Sequence, residues 1–467
     1  MTTTAPPSLR SEVLRGGAYL TVRQGAGTAI NVAGVVLLTR AIGPGGYGVY
    51  AAAIGLFTAV QLIAQMGVGV FLLRADRTLG EEVFRVSSTL LFVAGLVGAA
   101  LGAITLPLVE RWTRIEGLGA IALAVYATLP LSNLAQVPLA RLERALDYKR
   151  VAWVELAGQL LFFVVALPLA VGGAGAWAPV AGWITQQIVV LVALHRVARY
   201  VPRPLWDGGL ARAAVRYGAG FTASLWLYQL RKVVNPLIVG RYLGADAVGV
   251  VAVTTQIVTH LSFVAVATWR LSMAALARVQ HSHDRLRRAV SDGMRLQLLA
   301  VAPFLLLFTW VAPFVIPLLL GRAWEEVALI YPFLAVAALA NAIFNLHSST
   351  LYVLKHNGEM ALFHVAQTAL LGLAALALVP RFGVVGYGLA ELVALASYGV
   401  LHAFTARSVG ALASARTLAM GGAIALGLGQ AYLGLWSLAA LLVGAAILRP
   451  WRDLSGLVAE LRGMAHE

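Results

Sequence analysis

Apolar runs of about twenty residues follow one another along almost the whole of this chain, each closed by a short polar or glycine-rich turn. A run of that length spans a bilayer as a helix, and within lipid each backbone N–H and C=O must be paired inside its own segment. The runs are rich in Leu, Val, Ala and Gly and lack the strict alternation of barrel strands, so helices are expected. Composition agrees. Of 467 residues 60% are hydrophobic and 12% charged, against about a quarter charged in a soluble domain. The expected fold class is an all-α integral membrane protein.

The runs fall at roughly 17–40, 47–73, 86–109, 118–140, 151–172, 177–198, 217–241, 246–275, 296–320, 328–354, 363–380, 386–406, 417–432 and 435–449, about fourteen spans. Two turns carry the same pattern. Arg40-Ala41-Ile42-Gly43-Pro44-Gly45-Gly46-Tyr47-Gly48 and Arg241-Tyr242-Leu243-Gly244-Ala245-Asp246-Ala247-Val248-Gly249 both read Arg-x-x-Gly-x-x-x-x-Gly, and a new apolar run follows each at once. A repeat inside a membrane protein points to two homologous lobes, the design of transporters that rock one lobe against the other. The register sets spans one to six against spans seven to twelve. The expected domains are a first lobe over 1–200, a second over 201–408 behind a basic linker with Pro202 and Pro204, and an appended pair of spans with a tail over 409–467.

The net charge of +15 invites a nucleic-acid reading, which the placement of the charges rejects. Arg40, Arg111, Arg114, Arg241, Arg322 and Arg381 fall on one side, Arg23, Arg231, Lys232 and Arg270 fall inside spans, and the rest of the 35 Lys and Arg fall on the other side. That is the positive-inside asymmetry of a cytoplasmic membrane protein, with both termini in the cytoplasm. The polar segment from Met1 to Gly16 reads as a cytoplasmic tail or interfacial helix, not a secretory signal. With no cysteine, disulfides and thiolate chemistry are excluded.

The outer turns are too short to hold a soluble domain, and the first, Pro44-Gly45-Gly46-Tyr47, carries no carboxylate. An enzyme is therefore not expected. His281-Ser282-His283-Asp284 has the composition of a metal cluster but sits in a basic loop beside Arg285, and no metal is expected there. Small residues such as Gly95, Gly98 and Gly102, and the pair Gly421 and Gly422, are expected to admit close helix contacts.

The charges inside the spans carry the functional argument. A basic residue at a helix centre costs about 2.5–3.5 kcal/mol on insertion scales, so each needs compensation. Arg23 lies in the first span, Arg231 and Lys232 in the seventh, and Arg270 in the eighth. Spans one and seven open the two lobes, so these cations can share a water-filled cleft suited to an anionic head group. Arg offers a planar donor fork to phosphate oxygens, and Lys a point charge. Glu155 and Glu391 are candidate counter-ions or cation sites, and His260 a candidate proton carrier.

Gly34-Val35-Val36-Leu37-Leu38-Thr39-Arg40-Ala41-Ile42-Gly43-Pro44-Gly45-Gly46-Tyr47-Gly48-Val49-Tyr50, followed by Gly67-Val68-Gly69 before Arg74, resembles the opening of bacterial polysaccharide (O-antigen type) flippases. Leu319-Leu320-Gly321-Arg322-Ala323-Trp324 and Val379-Pro380-Arg381-Phe382-Gly383-Val384-Val385-Gly386-Tyr387-Gly388 resemble later landmarks of that family, in the right order. The resemblance implies the fold of the multidrug/oligosaccharidyl-lipid/polysaccharide exporter superfamily, with two six-helix lobes around a central cavity. It also implies flipping of an undecaprenyl-pyrophosphate-linked oligosaccharide across the cytoplasmic membrane, with cavity cations at Arg23, Arg231, Lys232 and Arg270 as substrate contacts. No cofactor is implied, apart from possible proton or sodium coupling. Polysaccharide polymerase or assembly proteins are candidate partners. Two relatives compete: the lipid II flippases, which also have fourteen spans and basic cavities, and the multidrug cation exporters. The latter usually carry an acid in the first span, whereas this chain has no Asp or Glu from Gly16 to Gly46.

Overall fold

The structure is a computed structural model that describes residues 9–74 and 80–448; the side chains of residues 9–24, 26, 219–225, 266–271 and 274 lie outside that description. Among the described residues every regular element is helical. They divide into two compact units, Met1–Gly249 and Val250–Glu467.

The first unit holds α1 (Leu9–Gln65), α2 (Val68–Arg74), α3 (Glu82–Thr113), α4 (Leu118–Tyr126), α5 (Leu129–Leu134) and α6 (Gln136–Arg144). It continues with α7 (Tyr148–Val171), α8 (Trp177–Val197), α9 (Gly208–Leu230) and the start of α10 (Gly240–Leu261). The second unit holds the rest of α10, α11 (Phe263–Val279), α12 (His283–Leu319), α13 (Glu326–Val353) and α14 (Asn357–Ala394). It ends with α15 (Ser397–Val409), α16 (Ala415–Leu428), α17 (Gln430–Leu433) and α18 (Leu435–Leu448).

Among the described residues nine stretches are long and apolar enough to cross a membrane, and Ala415–Leu428 and Leu435–Leu448 are shorter apolar helices. Three of the nine are folded back at a glycine. In α1 the chain turns at Gly43 (φ 69°, ψ 175°), and in α10 at Gly244 (φ 80°, ψ −169°). Only glycine takes such a φ without a Cβ penalty, and Pro44 then supplies the fixed φ that suits the first turn of the next helix. In α14 the same turn occurs at Gly383 (φ 60°, ψ −140°), just after Pro380.

Large side chains on the outer faces remain open, among them Val171 (83%), Leu435 (79%) and Phe314 (77%). Water would not tolerate so continuous an apolar surface, and lipid does. Without a hydrophobic drive between helices in lipid, close packing needs small residues. Gly95, Gly98 and Gly102 form such a face on α3. A Cβ on them would meet Pro130 at 2.6 Å, Leu129 at 2.8 Å and Tyr126 at 2.8 Å, so α4 and α5 approach through those glycines. At the other predicted pair only Gly421 does this, against Ile343 at 2.9 Å; nothing lies within 4 Å of a Cβ on Gly422. On α1, Gly34 admits the ring of Phe163, and a core of Leu38, Phe162, Phe163, Ala166 and Ala178 joins α1, α7 and α8. In the second unit α12, α13 and α14 form the centre, and Tyr331 donates from its hydroxyl to the Leu305 carbonyl at 2.8 Å.

Candidate functional site

Between α9 and α10 the helix is interrupted. Arg231–Val233 form a 3-10 turn and Asn235–Val239 a π turn before Gly240 resumes the α-helix. The cause is Pro236, which has no N–H to give and whose ring clashes with the carbonyl four residues back, that of Lys232. The loosened segment lies against α1. A Cβ on Gly55 would meet the Pro236 ring at 3.4 Å and the Lys232 carbonyl at 3.6 Å. Asn235 donates from Nδ2 to the Val248 carbonyl at 3.2 Å. Its Oδ1 is buried and accepts nothing from the described residues.

Arg231 and Lys232 therefore sit at the break itself. Arg231 is half-buried and Lys232 exposed. Just before them lies a small apolar hollow of about 290 Å³, walled by Leu62 and Ile63 of α1 and by Trp226 and Leu230 of α9. The indole Nε1 of Trp226 is buried without a hydrogen-bond partner among the described residues. A cationic break beside an apolar hollow can take an amphiphile with an anionic head. Broken helices at membrane depth persist where they line a cavity or a binding site.

The other predicted residues are spread more widely. Arg23 lies on α1 in the first unit and Arg270 on α11 in the second, and both side chains fall outside the described residues. Glu155 is half-buried on α7, and Glu391 is 4% exposed on α14. His260 is half-buried near the end of α10, with Nε2 unpartnered among the described residues.

The two copies of the repeated turn pack on one another. A Cβ on Gly48 would run into the Ala245 carbonyl, and one on Gly249 into the Pro44 carbonyl. Asp246 approaches Gly45, its Oδ1 being 2.9 Å from where a Cβ would stand. Nearby, Trp112 Nε1 donates to the Leu237 carbonyl at 2.8 Å, and Arg241 donates to the Trp112 carbonyl at 3.1 Å. The Arg241 guanidinium lies 5.1 Å from the Trp112 ring centre. A second glycine contact closes the opposite ends of the same helices, where Gly218 of α9 meets Met66 and Gly67 after α1. The helices flanking the break are thus pinned backbone to backbone at both ends.

One buried polar cluster has no counterpart in the sequence reading. His347 of α13 and His402 of α15 face each other with Nε2 and Nδ1 3.1 Å apart. Phe344 and Tyr398 stack beside them, their ring centres 4.9 Å apart. The available signal was the presence of two histidines inside apolar runs, yet their sequence separation hides the contact.

The model of a family described as polysaccharide biosynthesis protein matches residues 37–329. The chain is 23% identical over 329 residues to the succinoglycan biosynthesis transport protein ExoT of Rhizobium meliloti, covering 70% of this chain and 66% of that protein. It is 28% identical over 130 residues to the amylovoran biosynthesis protein AmsL of Erwinia amylovora, covering 28% of this chain and 34% of the relative. The chain thus spans just under two thirds of the first of these relatives and about a third of the second.

Among solved structures, the lipid II flippase MurJ in an inward closed conformation superposes with a TM-score of 0.67 at 14% identity, covering 93% of this chain and 99% of MurJ. An inward-facing multidrug resistance MATE family transporter of the MOP superfamily gives 0.63 at 14% identity, covering 84% and 98%. At such identities the likeness shows a shared fold.

Proposed function

The chain belongs to the polysaccharide biosynthesis protein family, and from that premise we propose that it is a flippase for an undecaprenyl-pyrophosphate-linked oligosaccharide. It would carry this lipid from the cytoplasmic to the outer leaflet for export of a surface polysaccharide. One observation carries the reading: the helix breaks at Arg231 and Lys232 between α9 and α10, and places two cations there beside an apolar hollow. Relatives named for succinoglycan transport and amylovoran biosynthesis support an exported polysaccharide as cargo.

In this reading Lys232, which has no ion-pair partner among the described residues, meets the pyrophosphate as a point charge. Arg231 adds a donor fork. Arg23 and Arg270 are proposed as further contacts within a cationic central cavity, and the prenyl tail stays in lipid. Substrate drives the change of state only by binding the two states unequally. Neutralising the pyrophosphate lowers the cost of bringing the lobes together, and alternating access follows. Glu155, Glu391 and His260 are proposed as counter-ions or as proton or sodium sites.

The proposed arrangement is about fourteen spans, two six-helix lobes over 1–200 and 201–408 and a final pair over 409–467, with both termini in the cytoplasm and the protein in the cytoplasmic membrane. Polysaccharide polymerase or assembly proteins are its proposed neighbours. A lipid II flippase is the second reading, favoured by the superposition over 99% of MurJ. A cation-coupled drug exporter is disfavoured by the lack of a carboxylate from Gly16 to Gly46.

The test is thermal stabilisation of the purified protein, because a ligand of the native state raises its apparent stability. A polyprenyl-pyrophosphate oligosaccharide, lipid II and a lipophilic organic cation are compared. The proposal expects a shift with the oligosaccharide lipid that disappears when Arg231 and Lys232 are both changed to Gln. A larger shift with lipid II moves the protein to the second reading. A shift with the organic cation alone overturns the anionic-lipid assignment.

A further inference from the structure

We propose that His347 and His402 form a one-proton binding site buried in the second unit, which couples the packing of α13 on α15 to the proton activity on the basic side of the membrane. The consequence for transport rests on the flippase reading, whereas the proton site itself does not.

His347 is 0% exposed and His402 half-buried, and their facing nitrogens are 3.1 Å apart. Two imidazoles at that distance need one hydrogen between them, so one ring donates and the other accepts. If His347 donates from Nε2, its Nδ1 is the bare basic nitrogen, and that atom is buried without a hydrogen-bond partner among the described residues. If His402 donates from Nδ1, the bare nitrogen is its Nε2. In either tautomer the pair has one open basic position.

One proton added there makes that ring an imidazolium, which still points an N–H at its neutral neighbour. The bond between the rings survives and becomes charge-assisted. A second proton would set two N–H groups against each other across the same gap and break it. The pair therefore takes one proton with its geometry intact and resists another. Two separate histidines would take two protons, one on each ring.

Aromatic rings flank the pair. Phe344, one turn before His347, holds its ring centre 4.8 Å from that imidazole and 6.4 Å from His402. Aromatic faces attract cations, most strongly where water is excluded. The ring of Tyr398 stacks on Phe344, and Phe363 of α14 packs on Tyr398 at 5.4 Å, so the cluster ties α13, α14 and α15 together.

The titratable groups on the packed elements are Glu326, Tyr331 and Tyr352 of α13, Glu359, His364, Arg381, Tyr387 and Glu391 of α14, and Tyr398 and Arg407 of α15, with His283, Asp284, Arg285, Arg287 and Arg288 at the start of α12. Asp292 and Arg295 lie on α12, Arg278 on α11 and Arg416 on α16. Among the described residues neither imidazole is hydrogen-bonded or ion-paired to any of them; each has the other. Both histidines lie about 10 Å, six or seven helical residues, from the ends of their helices that meet the loop of Lys355 and His356 and the turn at Gly410. In this proposal the proton comes from the basic side, and its binding charges a point where α13 and α15 join through polar atoms.

The experiment is nitrogen-15 NMR of histidine-labelled full-length protein in nanodiscs, titrated between about pH 8 and pH 5, where an ordinary histidine changes charge. The proposal expects one pair of resonances with coupling across an N–H···N bond, which takes up a single proton and keeps that coupling. His402→Gln and, separately, His347→Gln remove the pair while the other resonances stay. Ring signals that do not move over this range, or that titrate as two independent histidines, overturn the proton site.

Proteoliposomes then measure flipping of a polyprenyl-pyrophosphate oligosaccharide against internal and external pH. The wild type is expected to vary several-fold with pH and His402→Gln to be flat. Identical profiles overturn the coupling. If the oligosaccharide is not flipped at any pH, the flippase reading fails, and the nitrogen titration still decides the proton site.

Discussion

Gly48 lies against the backbone carbonyl of Ala245 with no space for even one further carbon. Each residue belongs to one copy of the repeated turn, so the internal repeat seen in the sequence is a physical contact in the fold. Gly48→Ala forces two backbones apart, and neither can yield as a side chain tip would. Overpacking of this kind costs about 1–3 kcal/mol. The expected outcome is a lower apparent melting temperature and a weaker turn contact. Because the chain has no cysteine, a disulfide between Gly45→Cys and Asp246→Cys reports that contact directly. It should form readily in the parent and poorly with Gly48→Ala added.

At the far end of the same helices Gly218 meets the Met66 carbonyl and Gly67. Gly67 also needs its φ of 68°, so either residue is hard to replace. Under the proposed alternating access one of these glycine contacts would open at a time, hence a bulkier residue should bias the cycle. Gly218→Val is expected to open this end. A cysteine placed near Met66 should then react faster with a water-soluble maleimide, while the cross-link at Gly45 and Asp246 persists. Equal loss of both contacts would mean general unfolding.

Much of this was legible in the sequence, for reasons of scale. A run of twenty apolar residues leaves one cheap conformation in lipid, and a turn with Gly43 or Gly244 at the same place in two repeats marks where helices fold back. The glycine face of α3 was visible because i, i+3 and i+7 fall on one side of a helix. The interruption at Arg231 was not foreseen, although Pro236 announces it: the expected span ran unbroken from 217 to 241. His347 and His402 were missed because their pairing depends on how two distant helices face each other, which no local pattern records.

A buried hydroxyl pair helps to hold the segment between α8 and α9 to α3, beside the bond from Leu205 N–H to Thr89 Oγ1 at 3.1 Å. Tyr200 is 4% exposed and shares a 2.7 Å hydrogen bond with Ser88, itself 2% exposed. The Arg141 guanidinium lies 5.7 Å from the Tyr200 ring and pairs with Glu81 at 2.6 Å. Burial pushes the Tyr200 phenol up, so the hydroxyl stays protonated through the physiological range. Tyr200→Phe leaves Ser88 buried without that partner and should cost about 1 kcal/mol. Tyr200→Ala also opens a cavity and should cost about 3–5 kcal/mol. Melting curves of the two variants separate the hydroxyl from the ring; an unchanged melting temperature for Tyr200→Phe would show that the hydrogen bond contributes nothing, and equal losses that the ring adds nothing beyond it.

Pro236 is the residue on which the site geometry turns. Pro236→Ala restores an N–H facing the Lys232 carbonyl and removes the ring that keeps them apart, which favours a continuous helix by about 3 kcal/mol. Straightening one turn rotates Arg231 and Lys232 relative to α1 and draws the Lys232 carbonyl into the helix. The variant should therefore melt no lower than the parent yet flip the lipid-linked oligosaccharide about tenfold more slowly, a change of about 1.4 kcal/mol in the barrier. Arg231→Gln with Lys232→Gln should slow flipping without altering the helix, so the two lesions are distinguishable by hydrogen exchange at residues 231–239. Normal flipping by a variant whose amides there have become protected would remove the break from the mechanism and leave the cations alone to account for it.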